Sequence, residues 1–164
     1  MTDVTHGRPD VGDIFPQMTL STPDGGEFST ASLAGKPAAV FFYPKDNTPG
    51  CTTEAKDFTA LASQFADAGV AILGISKDPP ESHAKFIAKQ ALGIPLYSDT
   101  PPDAGDGLAE TLGIWVEKNM YGRKHMGMER TTFLIGADGR IARVWRKVRV
   151  KGHADAVLEA ARAL

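Results

Sequence analysis

The chain has 164 residues, 42% hydrophobic and 23% charged, with a formal net charge of −2. That is one domain's worth of globular chain, 1–164, large enough to bury a real core. The charge gives no reason to expect a nucleic-acid or membrane partner, no apolar run approaches the about 18 residues a bilayer span needs, and a single cysteine rules out an internal disulfide. That cysteine usage, with no apolar signal core in the first eight residues, points to a reducing, cytoplasmic compartment.

Residues 1–11 are polar and are expected to be loose, as unpacked termini are. Segments 18–20 and 27–28 flank Pro23-Asp24-Gly25-Gly26, a turn signal that predicts a small hairpin. Segment 38–43 is a short unbroken apolar run closed by Pro44, and reads as a strand buried on both faces. Thr48-Pro49 signals a helix start: threonine caps through its side-chain oxygen, and proline suits the first helical position. Ala55, Phe58, Leu61, Ala62 and Phe65 then recur as one apolar helix face, Gly69 stops it, and 70–75 reads as a second buried strand.

A further helix is predicted over 80–91, with Ala84, Ile87, Ala88 and Ala91 on one face, then a short strand at 94–97. A proline-rich loop follows at 99–105 and a short helix at 106–112, ended by Gly113. Thr131–Ile135 and Ile141–Trp145 read as strands joined through Asp138-Gly139. A last helix spans 154–163, with Val157, Leu158 and Ala161 on one face. This pattern predicts an α/β protein with a central mixed sheet flanked by helices. Its element order is that of a thioredoxin-like fold with an added N-terminal β-hairpin.

With Thr48 as cap, Cys51 falls at the third helical position. The first turn of a helix has unpaired N–H groups and partial positive charge, and both favour a thiolate. Free cysteine ionises near pH 8.5, and helix N-termini or nearby cations lower this to about 3.5–7.5. The neighbours Pro49, Gly50, Thr52 and Thr53 are not core residues, which weighs against a buried structural cysteine. Cys51 is therefore a candidate nucleophile, ionised and reachable.

Pro44, Thr48 and Cys51, spaced Pro-x-x-x-Thr-x-x-Cys, resemble the peroxidatic motif of peroxiredoxins. The longer string 42–55, with 129–135 and 150–154, is similar to the bacterioferritin-comigratory (Q-type) subgroup, and the likeness runs from about Gly12 to the C-terminus. The resemblance implies a thiol-dependent peroxidase acting on hydrogen peroxide and organic hydroperoxides. In it Cys51 attacks the O–O bond, Thr48 bonds peroxide and thiolate, Pro44 shields the site, Arg130 holds the thiolate and the attacked oxygen, and Glu54 orients Arg130. Arginine suits that place because it stays protonated and offers a rigid fork of donors. Many Q-type members carry a second cysteine five residues after the first, where this chain has Lys56. The implied enzyme is a 1-Cys type whose sulfenic acid is resolved by an outside thiol: thioredoxin, glutaredoxin with glutathione, or a small thiol. The expected assembly is a monomer or weak homodimer, with no cofactor.

Other features carry blander readings. Segment 143–151 holds five cations in nine residues and reads as a strand with one wet face, or as a docking surface for an acidic reductase. The four histidines show no metal-ligand spacing, so no metal is expected. Residues 124–128 read as a packed loop from which His125 or Met128 could line a pocket, and Phe42, Tyr43 and Trp115 read as core. A disulfide oxidoreductase would need Cys-x-x-Cys, whereas this site is Cys51-Thr52-Thr53-Glu54. A peroxide sensor or holdase without efficient turnover is the alternative.

Overall fold

The structure, a computed structural model, describes residues 8–101 and 105–164. A seven-stranded mixed sheet is built around β3 (Ala38–Phe42) and β4 (Ala71–Ser76), which pair in parallel with Phe42 opposite Ile75. β5 (Leu96–Ser98) continues the parallel part beyond β4, followed by the antiparallel hairpin β1 (Thr19–Ser21) and β2 (Glu27–Ser29). On the other side β8 (Thr131–Ile135) runs antiparallel to β3 and carries β9 (Ile141–Trp145) at the edge. The order is β2-β1-β5-β4-β3-β8-β9.

Every residue of β3 and β8 is buried, because both faces of the sheet are covered. Alternation sends Ala39 and Phe41 to one face and Ala38, Val40 and Phe42 to the other. The first face packs on α1 (Pro49–Ala60), α2 (Ala62–Asp67), α3 (Pro80–Gln90) and α5 (His153–Arg162). The second takes α4 (Leu108–Thr111), Phe15 and Met128. Phe41 stacks on Phe58 of α1 with centroids 4.6 Å apart. Gly74 makes this packing possible: a Cβ there would lie 2.7 Å from Phe41 Cζ.

Several expectations are corrected. The predicted single helix after Thr48 breaks at Leu61, whose φ of −99° and ψ of 2° separate α1 from α2. The buried face of α3 is His83 and Phe86, while Ala84, Ala88 and Ala91 are exposed. One buried phenyl ring gains far more than several methyl groups. Segment 124–128 is no loop: β6 (Trp115–Met120) and β7 (Arg123–Met128) form a separate hairpin. β9 stops at Trp145, so the basic run continues as an irregular strap. Residues 8–11 are pinned, with Arg8 donating to the Gly113 carbonyl at 3.0 Å and Arg146 to that of Pro9 at 3.1 Å. The rest of the expected loose terminus, 1–7, and 102–104 of the proline-rich loop lie outside the described residues.

Candidate active site

Strand register creates the site. Thr131 of β8 lies opposite Phe42 at the end of β3, so Arg130 emerges beside the 43–48 loop that leads into α1. Arg130 thereby reaches Cys51 across 79 positions of chain. α1 starts as predicted, with Thr48 extended, Pro49 first and Cys51 third. The Thr48 side chain, however, does not cap the helix; its hydroxyl donates to the Lys45 carbonyl at 2.8 Å. The first-turn amides are thus left without a side-chain acceptor.

Arg130 Nη2 donates to Cys51 Sγ at 3.3 Å, and Nη1 to Glu54 Oε1 at 2.6 Å. Cys51 and Glu54 are three residues apart on α1 and share a helix face, so one guanidinium clamps both. Gly50 lets it lie close: a Cβ there would sit 3.3 Å from Nη2. Sequence reasoning missed Gly50, whose signal was a glycine inside a helix, where it is unfavourable. Pro44 and Thr48, both half-buried, belong to the loop entering that helix. Lys56 is exposed.

The sulfur is not reachable as expected. Cys51 is 1% exposed and joins the apolar cluster of Ala55 and Phe58. Positions 51, 55 and 58 fall on one helix stripe, which is why the side chain faces the core.

Burial sets the electrostatics. Glu54 is 1% exposed, and its Oε2 has no hydrogen-bond partner among the described residues. Burial raises its pKa to about 7 although Arg130 opposes the rise. For Arg130, burial works against the charge, but Glu54 and Cys51 outweigh it and raise its pKa. Burial, then Arg130, lowers the pKa of Lys118, whose Nζ donates to the Met128 carbonyl at 2.6 Å. His153, within hydrogen-bond distance of the Thr132 hydroxyl at 2.7 Å, is lowered to about 4 by burial and by Arg130. Lys118 and His153 were also missed, since neither lies near Cys51 in sequence. His125 is exposed on β7, and Met128 is buried in the opposite core.

A second polar cluster anchors the same loop. Asp46 Oδ1 accepts from the Tyr43 hydroxyl at 2.7 Å, while Oδ2 meets His83 Nδ1 at 2.8 Å and the Ser82 hydroxyl at 2.8 Å. His83 Nε2 faces the Tyr97 carbonyl at 3.0 Å, and the Asp46 amide donates to Asp78 at 2.8 Å. Burial pushes Asp46 up, but the hydrogen bonds from His83 and Tyr43 outweigh it and hold the carboxyl low. Asp46, Asp78 and His83 are close enough to share a cation. Protein groups already occupy Asp46 and His83, so the cluster works as a strut between the loop, β4 and α3.

Comparison with known proteins agrees with this geometry. The AhpC/TSA family profile matches residues 11–144. Peroxiredoxin Bcp of Xanthomonas campestris pv. campestris is 46% identical, over 99% of this chain and 98% of the relative. Peroxiredoxin Bcp of Bacillus subtilis is 39% identical, over 92% and 93%. A structure concerned with the alkyl peroxide reduction activity of the Xanthomonas campestris bacterioferritin comigratory protein superposes with TM-score 0.81 at 46% identity, covering 89% of this chain and 90% of that one. A mutant of PrxQ from Xylella fastidiosa gives TM-score 0.86 at 36% identity, covering 95% and 97%. The family profile takes in the loop before α1 and the sheet, and the Xanthomonas campestris relative extends the likeness through the terminal helix. The chain belongs to the AhpC/TSA family, as a peroxiredoxin of the Bcp/PrxQ type with a thioredoxin-like fold and a single cysteine.

Proposed function

We propose that the chain is a 1-Cys thiol peroxidase that reduces hydrogen peroxide and organic hydroperoxides through Cys51. The observation that carries this is the guanidinium 3.3 Å from the sole thiol and held in place by Glu54. The Cys51 thiolate attacks one peroxide oxygen. An S–O bond forms as O–O breaks, and the leaving oxygen takes a proton to become water or alcohol. Arg130 and the first-turn amides stabilise the charge moving onto oxygen, donors fixed in advance of the reaction. Thr48 bonds the incoming peroxide, and Pro44 keeps bulk water from the sulfur.

Because Cys51 is covered, the first turn of α1 must yield for peroxide to enter. Gly50 and the absent Thr48 side-chain cap favour that movement. With no second cysteine, an external thiol resolves the sulfenic acid: thioredoxin, glutaredoxin with glutathione, or a small thiol. That chemistry suits a reducing cytoplasm and a monomer or weak homodimer.

A peroxide-consumption assay with dithiothreitol tests the reading. Many equivalents should be consumed per Cys51, and Cys51→Ser should consume none. Equal activity in that variant, or wild-type consumption that stops near one equivalent, overturns it.

A further inference from the structure

We propose that the cleft beside Arg130 binds the reducing thiol, and that it selects a small thiol bearing a carboxylate. This rests on the peroxidase reading above. The cleft lies between β6, residues 129–130 and the strap after β9, and encloses about 580 Å³. That volume falls in the range of small-molecule sites, in a cleft that is open rather than enclosed. Arg130 is a wall of the cleft while its Nη2 touches Cys51 Sγ, so one side chain joins the cleft to the covered sulfur, which a bound thiol reaches when the first turn of α1 yields.

The walls define the occupant. Val116 and Val148 provide apolar sides, while Lys118 and Lys147 provide ammonium groups. Lys118 is held through its ammonium, and Lys147 is placed by the backbone of its neighbour. Lys118 Nζ is held by the Met128 carbonyl at 2.6 Å, and the Val148 amide donates to the Arg130 carbonyl at 3.0 Å, which sets Lys147 on the rim.

The remaining charges largely cancel. Glu54 takes one Nη of Arg130 and offsets its charge once ionised, above about pH 7. Glu129 also lines the cleft, but Arg8 at 3.9 Å and the nearby Arg146 answer it from outside. Glu117 is an exposed rim carboxylate that offsets one cation. Lys118 and Lys147 have no ion-pair partner among the described residues. The strap extends the pattern: Lys147, Arg149 and Lys151 are exposed, while Val148 and Val150 are half-buried. Lys151 and Val150 then line a second groove against Gly50 and Thr53, but Asp57 and Asp155 line it too, so the positive lining is that of the cleft beside Arg130. A positively lined cleft concentrates anions and raises their rate of encounter.

The reaction balances without a further reactant. The thiolate of the bound thiol attacks Sγ of the sulfenic acid, an S–S bond forms, and the S–O bond breaks. The hydroxide leaves with the thiol's proton as water. A second molecule of the same thiol attacks the mixed disulfide, releasing Cys51 and the small disulfide.

The test uses the full chain oxidised with one equivalent of hydrogen peroxide, then mixed with 3-mercaptopropionate, its methyl ester or cysteamine. Rates of sulfenic acid loss are compared per thiolate. The carboxylate should react about tenfold faster than the ester at low salt, with cysteamine slowest. The gap should shrink severalfold in about 0.5 M salt. Lys147→Glu, at an exposed position, should narrow it, and Lys118→Gln with Lys147→Gln should reduce it to within about twofold. Equal rates for the three thiols, or an advantage unchanged by Lys147→Glu, overturn the proposal, as does rapid reduction by a protein thiol when all three small thiols are slow. Failure of Cys51 to take up the peroxide equivalent would instead refute the peroxidase reading.

Discussion

Glu54 is the sharpest handle on the site, because Glu54→Gln keeps its shape and removes its charge. In the folded chain Glu54 holds its proton to about pH 7, against 4.5 as its ordinary value. Between those limits the folded state carries a proton that the unfolded state has released, so stability falls as pH rises through that window. The whole effect is roughly 3 kcal/mol. Glutamine does not titrate. Urea unfolding of both reduced proteins from pH 4.5 to 8 should therefore show the difference moving toward the variant by roughly 3 kcal/mol, a relative midpoint shift of about 1–3 M. His153 titrates in both proteins, so its contribution cancels in the difference. Parallel stability curves, or a difference moving the other way, would refute the argument that burial outweighs Arg130 at this carboxyl.

Arg130→Ala removes the donor to Sγ and should slow stopped-flow oxidation of Cys51 by about 10²–10³-fold; a wild-type rate would take Arg130 out of the chemistry. Asp46→Asn removes the carboxylate that holds Tyr43, Ser82 and His83 by buried hydrogen bonds and should cost about 1.5–3 kcal/mol in urea unfolding. A loss within the error of the unfolding curves would mean that the strut bears little. His153 is protonated near 6.5 in the unfolded chain but only near pH 4 when folded, so stability falls as pH drops from 6.5 to 4. His153→Phe should flatten that acid limb, and an unchanged limb would assign it to other groups. Phe58→Ala empties the space against Phe41 and should cost about 3–5 kcal/mol by the same unfolding assay.

Elements governed by local chemistry were legible in the chain. The apolar run of β3, the Thr48-Pro49 start of α1 and the Asp138-Gly139 hairpin all formed as predicted. The β6–β7 hairpin was not legible. Its turn is Tyr121-Gly122, with φ of 52° and 78°, in place of Asn-Gly, and polar residues on both faces hide the period-two signal. The face of α3 was misread because three alanines and Ile87 matched the spacing, while the sheet selected Phe86.

The active site divides in the same way. Spacing along one helix placed Cys51 in the first turn, a property of neighbouring residues, whereas Glu54 was named only through the family resemblance. Spacing also held the stripe 51, 55 and 58 that buries the sulfur, but only the sheet decided that this stripe faces inward. The pairing of Phe42 with Thr131 delivered Arg130, and the packing of α3 delivered His83 to Asp46 across 37 positions. Cys51's helical position followed from the chain within a few residues of it. Its burial, its cation and the near-neutral titration of Glu54 depend on low dielectric and long-range contacts, which exist only once the sheet has closed.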